Sequence, residues 1–183
     1  MIGRAKPQRS LKSRALQLLA QRDQSRLELR RKLLRHARAA AAEAAPADDS
    51  APEGEAAPDA EAEVETLLDW LQANGFLSDE RFVDARVHAR EARFGNLRIR
   101  GELAQHGVVA PAEVVDALVA SELARAAAVR ERRFASAPVD AAGRAAQCRF
   151  LAQRGFTPEV IHRLMRQLRD AGPGVLPDRG GRG

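Results

Sequence analysis

Residues 94–108 read FGNLRIRGELAQHGV, a short stretch that puts Arg98, Arg100 and His106 on one expected helix with Leu97, Ile99 and Leu103 interleaved among them. The same pattern occurs three times. Aligned on Leu33, Leu103 and Leu151, residues 25–37 read SRLELRRKLLRHA, residues 95–107 read GNLRIRGELAQHG and residues 143–155 read GRAAQCRFLAQRG. Ser25, Gly95 and Gly143 lie eight positions before the shared leucine, and Ala37, Gly107 and Gly155 lie four after it. His36, His106 and Arg154 share the last basic position; Leu29 and Ile99 share an apolar one, where Gln147 departs.

Each copy is flanked by further helical patterns. The preceding helices are expected at about 12–23, 79–93 and 121–135, and the following ones at about 64–74, 112–120 and 158–170. Val64, Leu67, Leu68 and Leu71, and again Ile161, Leu164, Met165 and Leu168, recur at i, i+3, i+4, i+7, which makes one apolar face per helix. Val115, Leu118 and Val119 give a shorter version. Ser78 reads as a helix start, Thr157-Pro158-Glu159 as an N-cap with proline and acid in the first turn, and Gly107 and Gly155 as C′ glycines.

The expected fold is therefore all-α, three tandem three-helix repeats forming an elongated, curved array, with a disordered acidic insertion. Its divisions are a basic N-terminal tail (1–11), repeat 1 (12–77, holding a disordered acidic linker at 40–62), repeat 2 (78–120), repeat 3 (121–171) and a disordered tail (172–183). The linker belongs to a low-complexity stretch, residues 37–63, without large apolar side chains and broken by Pro46, Pro52, Gly54 and Pro58.

Composition agrees. Apolar residues make up 45 % of the 183, aromatics only 4 %, and there is no tyrosine, so the core must come from aliphatic side chains. One cysteine, Cys148, excludes an internal disulfide and a cysteine metal site, fits a reducing interior, and reads as a small buried filler. No apolar run reaches membrane-spanning length. Residues 1–22 carry six bases and no acid, a composition shared with transit peptides; here it reads as a basic tail entering the first helix.

Charge is unevenly spread. Residues 37–63 hold eight acids and one base, a net −7, which leaves +12 on the remainder of a chain whose total is +5. A body this basic points to nucleic acid or another polyanion, against the plainer alternative of an arginine-rich codon bias, since 27 of the 30 bases are arginine. The candidate binding residues are Arg30, Arg31, Lys32, Arg98, Arg100, Arg144 and Arg149 on the repeated second helices. Arg86, Arg90 and Arg93, at i, i+4, i+7, are expected on one face of the helix before the second copy. The competing role for each is a solvated helix face with local ion pairs, such as Glu28 with Lys32 or Glu102 with Arg98. The six phenylalanines and Trp70 sit at helix ends and read as packing between repeats rather than as platforms for single-stranded bases. His36 and His106 read as bases at helix C-termini. Asp79 and Glu80 read as first-turn acids. No metal-ligand spacing, phosphate loop or nucleophile–base pair is present, so neither a catalytic role nor a cofactor is expected.

The stretches ALQLLAQRDQSRLELRRKL, LSDERFVDARVHAR with GNLRIRGELAQHGV, and FLAQRGFTPEVIHRL together resemble the RecX family of bacterial recombination regulators over nearly all of the chain except the linker and tail. The most specific part is Asp79-Glu80-Arg81-Phe82 followed by the G-x-x-R-I-x-x-E-L-x-x-x-G run from Gly95 to Gly107. The long linker is a departure, because the family usually joins these helices by a short loop, and repeat 3 is weaker at Ala145, Ala146 and Gln147. The resemblance implies a cytoplasmic monomer without cofactor that binds the RecA filament on single-stranded DNA. It would lie in the filament groove and lower ATP hydrolysis, strand exchange and repressor self-cleavage, with direct DNA contact in some members. A helix-turn-helix DNA regulator acting without RecA is the alternative, though such regulators use two-fold dimers and a single recognition helix. The acidic linker would screen bare DNA from the basic body.

Overall fold

The computed structural model describes residues 10–44 and 58–171. Within them the chain is entirely helical. Eight helices run α1 Leu11–Gln21, α2 Arg26–Ala44, α3 Pro58–Ala73, α4 Asp79–Glu91, α5 Asn96–Gln105, α6 Ala112–Glu131, α7 Ala141–Gln153 and α8 Pro158–Asp170. The second copy of the repeat is thus α5, with α2 and α7 as the other two. Their shared leucines are the centres of burial: Leu33, Leu103 and Leu151 are 0 %, 1 % and 0 % exposed.

Two compact units divide the chain, residues 1–85 with 106–108 and residues 86–105 with 109–183. In unit 1, Ala15 and Leu18 of α1, Leu29, Leu33 and Leu34 of α2, and Val64, Leu68 and Leu71 of α3 close one core with Leu77. In unit 2, Ala126 and Val129 of α6, Leu151 of α7, and Ile161, Leu164 and Met165 of α8 close another with Phe156, and Cys148 packs half-buried against it.

Three expectations change. The helices expected at 112–120 and 121–135 are a single one, α6, because nothing between them breaks the backbone. The junction is Ala120-Ser121, and the Ser121 hydroxyl donates to the Ala117 carbonyl at 2.8 Å, which keeps it in the helix. Val119, expected on the apolar face, is 63 % exposed. The expected linker 40–62 is shorter: the alanine-rich start of the acidic stretch carries α2 on to Ala44, as that composition favours, and α3 begins at Pro58 rather than near residue 64. The rest of the expected disordered linker, residues 45–57, lies outside the described residues, as do the expected tails at 1–9 and 172–183.

Turn chemistry follows the sequence more closely. Ser10, Ser25, Ser78 and Asp140 each accept from a backbone N–H three residues on, which caps α1, α2, α4 and α7. Gly107 and Gly155 have φ of 70° and 77°, the left-handed conformation that closes a helix without a Cβ penalty.

Candidate nucleic-acid interface

Within unit 1 the candidate bases lie on α2, and most are committed to the fold. Arg30 pairs with Glu65 and, at 3.5 Å, with Glu61 of α3. Lys32 donates to Glu28 at 2.8 Å, the expected i,i+4 pair, and to the Gln24 side chain at 2.9 Å. Arg31 is exposed and forms no ion pair among the described residues. Arg35 and Arg38, not singled out from sequence, extend Arg31 along one face at i, i+4, i+7. Their signal was the helical spacing carried on from Arg31. Because α2 runs on to Ala44, His36 is an interior residue of α2 rather than a C-terminal base, whereas His106 does follow α5 directly.

Glu28 is the electrostatic centre of this unit. It accepts from Arg22 and Lys32, and His106 Nδ1 lies 3.8 Å away. Burial alone would raise its pKa, but the hydrogen bonds from Arg22 and Lys32 outweigh that and hold the carboxyl below its usual range. Glu65 is lowered likewise, by hydrogen bonds from Arg30 and Arg26. Asp79, expected as a first-turn acid, reaches further: its Oδ1 accepts from the Arg26 backbone N–H at 2.9 Å, at the first residue of α2.

Unit 2 carries the rest. Arg86 is half-buried; Arg90 donates to Glu102 at 2.9 Å; Arg93 is exposed. Arg93 lies just beyond the end of α4, in a turn whose Arg93 and Phe94 N–H groups both donate to the Arg90 carbonyl at 3.0 Å. Arg98 is exposed and 3.5 Å from Glu102, the expected local pair. Arg100, Arg144 and Arg149 are exposed and form no ion pair among the described residues.

The phenylalanines divide into two groups. Phe82 and Phe156 are buried in the cores, as packing predicts. Phe94 and Phe150 are only half-buried and lie under cations. Arg98 sits 4.4 Å from the Phe94 ring centre, with Arg90 and Arg93 at 5.8 Å, and Arg154 sits 3.8 Å from that of Phe150. In unit 1, Lys12 lies 3.6 Å over Trp70, which stacks on an exposed Phe76.

What places α5 against its neighbours is a buried polar network that sequence reading missed. Glu122 is 2 % exposed, and its Oε1 accepts from the Asn96 N–H at 3.0 Å and the Thr157 N–H at 3.1 Å, with Oε2 taking the Thr157 hydroxyl at 3.1 Å. One carboxylate therefore caps both α5 and α8, and Thr157, expected to cap α8 with its own hydroxyl, donates that hydroxyl instead. Arg125, one turn on, donates to the carbonyls of Glu91, Phe94 and Leu118 at 3.2, 2.7 and 3.0 Å and to the Asn96 side chain at 2.5 Å. Burial lowers the Arg125 pKa, opposed by the charges of Glu122 and Glu91. The available signal was an acid and a base three apart in the middle of an alanine-rich helix. Gln147, the departure from the repeat, is also buried and accepts from Arg130 Nε at 2.9 Å.

Among the described residues no cluster of histidine, cysteine, aspartate and glutamate can hold a metal ion, and no helix is long and apolar enough to cross a membrane.

Relatives match this arrangement along the chain. The family model described as RecX, third three-helix domain, matches residues 120–165. The regulatory protein RecX of Ralstonia nicotianae is 44 % identical over 158 residues, 85 % of this chain and 86 % of that protein. That of Leptothrix cholodnii is 44 % identical over 163 residues, covering 88 % and 90 %. The crystal structure of RecX from Lactobacillus salivarius superposes with a TM-score of 0.60 at 16 % identity, over 87 % of this chain and 94 % of that one, a likeness of fold. By its sequence identity to these regulatory proteins over most of its length, the chain belongs to the RecX family.

Proposed function

We propose that this chain is a non-enzymatic regulator that binds the RecA recombinase filament on single-stranded DNA and restrains it, lowering its ATP hydrolysis, strand exchange and promotion of repressor cleavage. The reading rests on family membership. The structural observation that supports it is the set of exposed arginines without a carboxylate partner among the described residues on every copy of the repeated second helix: Arg31 on α2, Arg100 on α5, and Arg144 and Arg149 on α7. Three three-helix repeats, each presenting such a helix, would engage a periodic polyanionic target at several points. Weak contacts repeated in this way multiply into avidity. Their electrostatic share would fall steeply with salt.

The direct test is binding to one labelled oligonucleotide, bare and RecA-coated, at about 150 mM salt, where the Debye length is about 8 Å. Much tighter binding to the coated strand is expected. Equal or weaker binding to it would leave a plain DNA-binding role. Charge reversal at Arg100 and Arg149 is expected to weaken binding to the coated strand without lowering thermal stability, since neither side chain has an ion-pair partner to lose among the described residues.

A further inference from the structure

Arg98 and Arg154 lie closer to an aromatic ring than other arginines of unit 2 that approach one, Arg90, Arg93 and Arg133, at 5.5–5.8 Å. The Arg154 guanidinium carbon is 3.8 Å from the centre of the Phe150 ring, and Arg154 has no carboxylate partner among the described residues. Phe150 is in turn braced edge-on by Phe134, at 5.2 Å between ring centres and 85° between planes. Arg98 lies 4.4 Å over Phe94. Both rings are half-buried, Phe150 packing in part against the core of unit 2, and each has a cation over it.

The two pairs belong to helix ends that meet. The Gly95 N–H, next to Phe94, donates to the Arg154 carbonyl at 2.9 Å, and the Leu97 N–H donates to the Gly155 carbonyl at 3.0 Å. The approach is closed to any side chain: a Cβ on Gly95 would collide with Gly155 and Phe156, and one on Gly155 would lie 2.5 Å from the Arg98 Cβ. The junction therefore fixes both pairs in one rigid frame.

A guanidinium that stacks on a ring turns one π-face to it and leaves the other to a further planar group; for Arg98 the Nε edge is also 3.5 Å from Glu102. Its edge N–H groups can still donate to phosphate oxygens. Nucleobases stack on guanidinium planes as they do on aromatic rings, and only unpaired bases present a free face. We infer that Arg98 on Phe94 and Arg154 on Phe150 form two neighbouring stacking platforms for unpaired nucleobases, so that unit 2 grips single-stranded nucleic acid by its bases as well as its phosphates. This deepens the proposed function and rests on its nucleic-acid component, but it does not require RecA.

The test separates stacking from charge. Fluorescence anisotropy at about 50 mM salt, where phosphate contacts are strong, would compare the full chain on an oligothymidylate of about 20 nucleotides with an abasic strand of equal length and charge. Base stacking adds enough per base to favour the base-bearing strand by about tenfold or more. The double variant R98K/R154K keeps both charges and loses both planes. It is expected to lose most of that preference while keeping the wild-type salt slope. Equal binding of the two strands by the wild-type chain, retention of the full preference by the lysine variant, or no binding of either strand would each overturn the inference. The RecA-coated strand is measured in parallel. Preference for the coated strand without discrimination against abasic sites defeats the stacking platforms alone, and discrimination without a preference for RecA defeats the filament reading alone.

Discussion

The Glu122 carboxylate ends two helices at once, and its position explains why a charged residue is tolerated at 2 % exposure. Backbone N–H groups at helix N-termini lack intrahelical partners and carry partial positive charge, so a carboxylate there satisfies donors and meets the dipole together. Glu122→Ala would strand the Asn96 and Thr157 donors and remove one of the two charges that favour the half-buried Arg125 cation. A loss of about 2–3 kcal/mol in urea denaturation is expected, and Glu122→Gln should lose less, because its amide oxygen can still accept. A loss below about 1 kcal/mol for the alanine variant would mean the caps are supplied otherwise. Glu28 gives a prediction in pH. Its pKa is depressed in the folded state, so its contribution is present above the ordinary carboxylate range and lost as pH falls through the folded value. Glu28→Gln should therefore cost stability at pH 7, and the gap to the wild-type chain should narrow in acid; a gap constant with pH would refute this. Glu28 and Lys32 were legible in the sequence because i,i+4 pairing is local. Glu122 was not, because its partners lie 26 and 35 residues away.

Among the elements, the repeat register was legible and the breaks between repeats were not. Leu33, Leu103 and Leu151 could be aligned because each helix needs one buried residue at the same turn, and Gly107 and Gly155 because a left-handed C′ position favours glycine. The fusion of two expected helices into α6 was hidden for a physical reason. A change of apolar face looks like a new helix, yet in α6 Leu118 and Glu122 are buried beside α5, while Ala126 and Val129 join the α7–α8 core. A continuous helix of 20 residues, about 30 Å at 1.5 Å per residue, can change its neighbours along its length without breaking. Gly155 tests how tightly the ends of α7 and α5 are joined. Its φ of 77° is costly for alanine, and the new Cβ would press on the Arg98 Cβ and backbone. Gly155→Ala is expected to destabilise by more than about 1 kcal/mol. Gly101→Ala, on α5, would place its methyl group in open space with nothing within 4 Å, and is expected to be neutral or slightly stabilising. Equal melting temperatures for the two variants would show that the close approach is relaxed in solution.

At the scale of the whole molecule the separation of charge is the dominant feature, and the structure divides the acidic stretch into two kinds of residue. Glu61 already pairs with Arg30 and, at 3.9 Å, with Arg38, so part of the −7 holds α3 to α2. Asp48, Asp49, Glu53 and Glu55 lie outside the described residues and contribute −4, which leaves +9 on the remainder of a chain whose total is +5. A tethered anionic segment competes with any polyanion for the same field, and competes best against a weak one such as bare DNA. Replacing the four acids by Asn and Gln leaves chain length and the α2–α3 ion pairs intact. The variant is expected to bind a bare oligonucleotide several-fold more tightly than the wild-type chain at about 50 mM salt. The difference should vanish near 1 M, where the Debye length is about 3 Å. Affinity for the RecA-coated strand should change less, which makes the segment a device for target choice rather than for affinity. Identical binding of bare DNA by the two proteins at low salt would remove that role and leave the acids as solubilising charge.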